Sequence, residues 1–197
     1  FKLWKELAAR DPQSAIRNQI ASALASFGTP TLEAKLVELI KTETDPATLQ
    51  HLLDISLQFR KAKRYEQYLA HPVFDVRFAA ARGLSITARK SQRSAVLQAL
   101  NKETEPRILE MLMKTALRIP DQNLAGRLLE MSISVEDPEQ KNLATLHFRQ
   151  LPDEMIYQAC VPFLSDPSKE IRTFALTEVT FLELPQIPEL LTSIAED

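Results

Sequence analysis

Glycine is nearly missing from this chain of 197 residues, with three in all, and cysteine and tryptophan occur once each, as Cys160 and Trp4. So little glycine removes the turn chemistry on which all-β proteins depend. A lone cysteine excludes an internal disulfide and fits a reducing compartment, so a cytoplasmic location is expected. No apolar run approaches the roughly 18 residues of a membrane span, and no secretory leader is present. The first residue is Phe1 rather than methionine, so the segment is expected to belong to a longer chain, with any anchor or further domain outside it.

What the chain does contain is apolar residues at 45% and charged residues at 25%, enough for a continuous core in a soluble helical protein. A shift of sixty residues lays the sequence on itself without a gap. Asp11-Pro12 then meets His71-Pro72, and Thr42-Glu43-Thr44-Asp45-Pro46 meets Lys102-Glu103-Thr104-Glu105-Pro106. Apolar positions correspond between these anchors: Leu36 with Val96, Ile40 with Leu100, Leu49 with Leu109 and Leu53 with Met113. Six prolines suited to a first helical turn follow one another at spacings of 34, 26, 34, 32 and 29 residues: Pro12, Pro46, Pro72, Pro106, Pro138 and Pro167. Each interval is the length of one helical hairpin, and fixed-period repetition marks a stacked array.

The expected fold is therefore all-α, a right-handed α-solenoid of about six antiparallel hairpins. Its repeats lie near 11–41, 45–70, 71–101, 105–132, 137–164 and 166–195, in one domain spanning 1–197. Residues 1–10 carry Leu3, Trp4, Leu7 and Ala8 on one face and read as the second helix of a truncated upstream repeat. Small residues at Ala21, Ala23 and Ala25, and at Ala79, Ala80 and Ala81, are placed for close helix approach.

A proline followed five residues later by arginine recurs as Pro12 to Arg17, Pro72 to Arg77 and Pro167 to Arg172, each after Asp or His. In this pattern the chain resembles the HEAT-repeat family over nearly its whole length. Repeats two and four keep the apolar spacing but lack the arginine, with Gln50 and Glu110 in that stretch, and the fifth, from Asp137-Pro138, matches least. The resemblance implies a binding architecture, with motif arginines that pair with acids or carbonyls between repeats.

Charge is unevenly distributed. Residues 60–93 hold nine basic and two acidic side chains, whereas residues 94–197 hold nine and seventeen. The cations gather at Arg60, Lys61, Lys63 and Arg64 and at Arg89, Lys90 and Arg93, both in breaks between the helices of a hairpin. In an array all such breaks share one edge, so these seven residues form the candidate site for an anionic partner. The same edge is expected to turn acidic through Asp121, Asp153, Glu154 and Glu183. Phe59, Tyr65 and Tyr68 are spaced for packing rather than for stacking on bases, and a pI near 6 disfavours a general nucleic-acid binder. Family geometry places second helices on the concave side, with Glu33, Lys35, Glu38, Gln98 and Arg127, together with Arg93, as candidate contacts.

Residues for chemistry are scarce. His51, His71 and His147 have no partner at metal-ligand spacing, and none is followed by the glutamate that helical-repeat deoxyhypusine hydroxylases require. Cys160 sits in an apolar stretch where a thiol packs rather than reacts. DNA glycosylases and bilin lyases built on helical repeats are enzyme alternatives without matching residues in support. No metal, cofactor or catalytic residue is assigned. The expected function is a non-catalytic scaffold or adaptor whose basic edge meets a helix or extended acidic segment of a protein partner. A module that faces phosphate, on nucleic acid or an anionic membrane, is the alternative.

Overall fold

The computed structural model describes residues 18, 19, 21–23, 26 and 30–196. Expectations for residues 1–10, for Arg17 and Ala25, and for the break at 27–29 lie outside the described residues. Every regular element among those described is helical. In chain order the α-helices are α1 (Pro30–Thr42), α2 (Pro46–Ile55), α3 (Lys63–Glu66), α4 (Phe74–Thr87), α5 (Arg93–Leu100), α6 (Pro106–Arg118), α7 (Gln122–Ser134), α8 (Pro138–Phe148), α9 (Asp153–Cys160), α10 (Lys169–Thr180) and α11 (Ile187–Glu196). Short 3-10 turns at Ser56–Phe59 and Lys90–Gln92 lie in breaks within hairpins, and a third at Val161–Ser165 lies between two hairpins.

Helix starts follow from local chemistry. Asp45 caps α2 by accepting the Thr48 amide at 2.9 Å, Asp121 caps α7 through Leu124 at 3.0 Å, and Asp137 caps α8 through Glu139 at 2.9 Å. Pro46, Pro106 and Pro138 stand at the first helical position, where a missing N–H costs nothing. Pro72 and Pro167 do not: α4 begins at Phe74 and α10 at Lys169, two residues later than the proline. The motif arginine supplies the reason. Arg77 Nη1 donates to the carbonyls of His71 and Pro72 at 3.0 and 3.1 Å, and Arg172 Nη1 to those of Asp166 and Pro167 at 2.6 and 3.0 Å. The guanidinium thus holds the entry turn outside the helix in both repeats.

Packing produces two layers. First helices stack on first helices, α2 on α4, α4 on α6 and α6 on α8, while second helices stack likewise, α5 on α7 and α7 on α9. A single core runs between the layers. It includes Leu52, Leu53, Val76, Leu84, Val96, Leu100, Leu112, Met113, Leu128, Phe148 and Val179, all fully buried. Ala79, Ala80 and Ala81 are also buried, which lets α4 approach both α2 and α6 closely. Of the two described alanines in the earlier stretch, Ala21 is buried and Ala23 is exposed.

Bonds between equivalent parts of neighbouring repeats share a common reach. Side-chain hydrogen bonds that join such parts span 26 positions from Gln92 to Glu66, 30 from Arg118 to Ala88 and 33 from His51 to Asn18, while Lys141 reaches the Ile133 carbonyl across the short turn between hairpins. The common reach is one hairpin length, as nearest-neighbour stacking requires. The chain is an α-solenoid.

Candidate functional site: the basic edge

Among the described residues, the breaks that join first to second helices are 56–62, 88–92, 119–121, 149–152 and 181–186. Specific bonds set neighbouring breaks side by side. Gln92 Nε2 donates to Glu66 Oε1 at 2.7 Å, joining α3, which carries Lys63 and Arg64 of the first basic run, to the turn of the second run. Arg118 Nε donates to the Ala88 carbonyl at 3.1 Å, and Arg93 Nε to the Ile119 carbonyl at 3.0 Å. At the far end the Glu183 amide donates to Asp153 Oδ2 at 3.2 Å.

The seven cations divide into two groups. Arg60, Lys61, Lys63, Arg89 and Lys90 are exposed and make no ion pair with a described residue. Arg60 is the one non-glycine residue at positive φ among those described, at 48°. This left-handed geometry ends the 3-10 turn, with the Arg60 amide donating to the Leu57 carbonyl at 3.0 Å.

Arg64 and Arg93 are corrections to the expected site. The Arg64 side chain is only 7% exposed, with Nη2 on Glu33 Oε1 at 3.0 Å and the guanidinium over the Phe59 ring. Arg93 binds the Ile119 and Pro120 carbonyls and lies 3.4 Å from Asp121 Oδ2. Both guanidiniums are bound to the neighbouring repeat, leaving little charge for an external anion. Sequence reasoning missed Arg118, an exposed arginine held at the same edge by its bond to Ala88. Its signal was present, because it immediately precedes the break that contains Asp121.

The aromatics near the first run serve the core. Tyr65 is fully buried, with its hydroxyl 2.8 Å from Ser56 Oγ, and burial pushes that hydroxyl above its ordinary range. Tyr68 donates to the Ile40 carbonyl at 3.0 Å. Further along the edge, Asp153, Glu154 and Glu183 are exposed, while Asp121 caps α7 and faces Arg93.

The remaining candidate contacts are dispersed. Glu33 is taken by Arg64, and Arg127 reaches Glu130 and the Leu100 carbonyl, both at 3.3 Å. Lys35 is half-buried and Glu38 exposed on α1. Gln98 lines a cavity of about 450 Å³ between the 69–72 turn and α5. The charged pair in that cavity is internally satisfied: Arg77 Nε donates to Glu103 Oε2 at 2.8 Å, and the Thr104 and Glu105 amides donate to Glu103 Oε1 at 3.0 and 3.1 Å. Burial opposes ionisation of Glu103, but the guanidinium and the two amides outweigh it and hold the carboxyl below its ordinary range.

His51 Nε2 lies 2.8 Å from Ser22 Oγ, His71 Nδ1 accepts the Val73 amide, and His147 Nδ1 lies 2.8 Å from the Leu143 carbonyl. No group of three metal-ligating side chains occurs among the described residues. Cys160 is buried, and burial together with the Glu178 charge pushes its thiol up to about 12. No helix among the described residues is long and apolar enough to cross a membrane.

These stacked hairpins with one polar edge define an α-solenoid of helical repeats. Among solved structures the chain is similar to one in the complex of CpcE and CpcF of phycocyanin lyase from Nostoc sp. PCC7120. The two share 16% identity and a TM-score of 0.57 over 83% of this chain and 70% of that one. No family model matches the chain, and neither does any curated protein. The structural likeness corrects the expectation that the chain is not an enzyme. An array of this fold occurs in a lyase, so neither helical-repeat architecture nor the scarcity of catalytic motifs places a chain outside enzymes.

Proposed function

We propose that this chain is a HEAT-like repeat module that holds an acidic segment of a protein partner along its basic edge, and that it works as a subunit of an enzyme assembly. The observation that carries the binding half is the set of five exposed cations without an ion pair among the described residues, Arg60, Lys61, Lys63, Arg89 and Lys90, brought together through Glu66 and Gln92. Adjacent unneutralised cations attract and orient an extended anionic chain. The enzymatic half is supported by fold alone, through the likeness to a phycocyanin lyase structure that itself contains two partner proteins. A cytoplasmic setting belongs to the same reading.

Titration of the chain with a fluorescent decapeptide of glutamates, read by anisotropy across a salt series, tests the binding half. Saturable binding that is lost when the five cations become glutamine supports it; binding that survives their loss overturns it. The phosphate-facing alternative uses the same cations. Tighter binding to a short single-stranded oligonucleotide or to vesicles containing phosphatidylserine than to the peptide would favour that alternative.

A further inference from the structure

We propose that the partner on this edge is a second copy of the chain, paired edge to edge and antiparallel, so that the basic turns of each copy face the acidic turns of the other. This inference rests on the reading of the basic edge as a partner-binding surface and names the partner. One edge carries both signs. Arg60, Lys61, Lys63, Arg89 and Lys90 are exposed toward its beginning, and Asp153, Glu154 and Glu183 toward its end. The bond from the Glu183 amide to Asp153 sets the acidic breaks of consecutive hairpins side by side, as Gln92 and Glu66 do for the basic ones.

A two-fold axis through the middle of such an edge brings both complementary contacts into register at once and closes the assembly at two copies. Parallel pairing would instead set like charges against each other. An open head-to-tail chain would satisfy only one patch per contact.

The acidic end also offers an apolar anchor. Phe181, in the break after α10, is 76% exposed, against 57% for Leu146 on α8 and 36 to 41% for Ile86, Val161 and Ile194. In the antiparallel pair its ring arrives at the basic turns of the other copy, where the exposed guanidiniums of Arg60 and Arg89 can lie over its face. Solvated ion pairs are individually weak, so an aromatic anchor is what such an edge needs to hold a partner.

Sedimentation velocity on the full chain tests the pairing. A dimer is expected at low ionic strength, with its dissociation constant rising at least about tenfold between roughly 0.05 M and 0.5 M NaCl as the charges are screened. Phe181→Ala should weaken it by about tenfold. One variant carries Arg60→Glu, Lys63→Glu and Lys90→Glu, and another carries Asp153→Lys, Glu154→Lys and Glu183→Lys. Each is expected to be monomeric alone, with unchanged helical circular dichroism, and the two mixed are expected to form a heterodimer. A wild-type chain that stays monomeric at low salt overturns the pairing, as does a dimer indifferent to both charge swaps or a mixture that does not associate. If the wild type is monomeric yet binds the glutamate peptide, self-pairing fails and the reading of the edge stands. If it binds neither, both fall.

Discussion

The ring of Tyr65 on α3 fills the space over the bare Cα of Gly83 on α4, so that a Cβ at position 83 would meet ring carbons at 2.4 Å. Tyr65 is fully buried and tied to Ser56, so it has no open space into which to swing. This contact sets how closely the one-turn helix α3, which carries Lys63 and Arg64 of the first basic run, seats on α4. Gly83→Ala is expected to destabilise the chain by about 1–3 kcal/mol through overpacking, read as a lowered midpoint in urea unfolding. An unchanged midpoint would mean that the ring yields freely.

Arg77 and Glu103 tie the start of the third repeat to the linker that leads into the fourth, with the glutamate side chain 8% and the arginine 18% exposed. Arg77→Ala leaves a buried carboxylate without its guanidinium and frees the His71 and Pro72 carbonyls. A loss of about 3 kcal/mol is expected in chemical denaturation, well beyond the effect of losing a surface pair. Lys114→Ala, which breaks the exposed pair with Glu110, is the control and should cost under about 0.5 kcal/mol.

The depressed Glu103 pKa makes this joint sensitive to acid. A carboxyl held lower in the folded chain than in the unfolded one contributes its full stability above the unfolded value, about 4.3. That contribution is lost as pH falls through the folded value. Stability measured from pH 6 down to pH 3 should drop more steeply in the parent than in Glu103→Gln, whose curve lacks this proton.

Cys160 should be inert while the chain is folded. With its thiol pushed up to about 12 and its side chain buried, thiolate is scarce at pH 8. Labelling with a maleimide is expected to be slow in buffer and fast in 6 M guanidinium. The linkage runs opposite to that of Glu103: the raised value favours folding below about pH 8.5 and loses force as pH climbs above it.

Much of the architecture was legible in the sequence because the repeat writes it twice. The sixty-residue self-match brings Leu53 onto Met113 and Ile40 onto Leu100, and all four side chains are buried. The proline-to-arginine motif also had a physical meaning, since Arg77 and Arg172 hold equivalent carbonyls. The motif did not reveal that the proline then stands two residues outside the helix. That follows only once the guanidinium is seen to hold the entry turn. Within the basic runs a string of cations carries no sign of which side chain turns inward. Arg64 does so because α3 lies beside Glu33 of α1, a contact made across 31 residues.

Peptide titrations that treat the two basic runs separately probe the joining of distant turns most directly. The glutamate decapeptide is titrated against chains with Arg60, Lys61 and Lys63 neutralised, with Arg89 and Lys90 neutralised, and with all five changed to glutamine. If the runs act as one surface, each partial change weakens binding by roughly tenfold and the full change removes it. A partial variant that binds as tightly as the parent would contradict a shared surface, and full-strength binding by the five-fold variant would contradict the edge altogether.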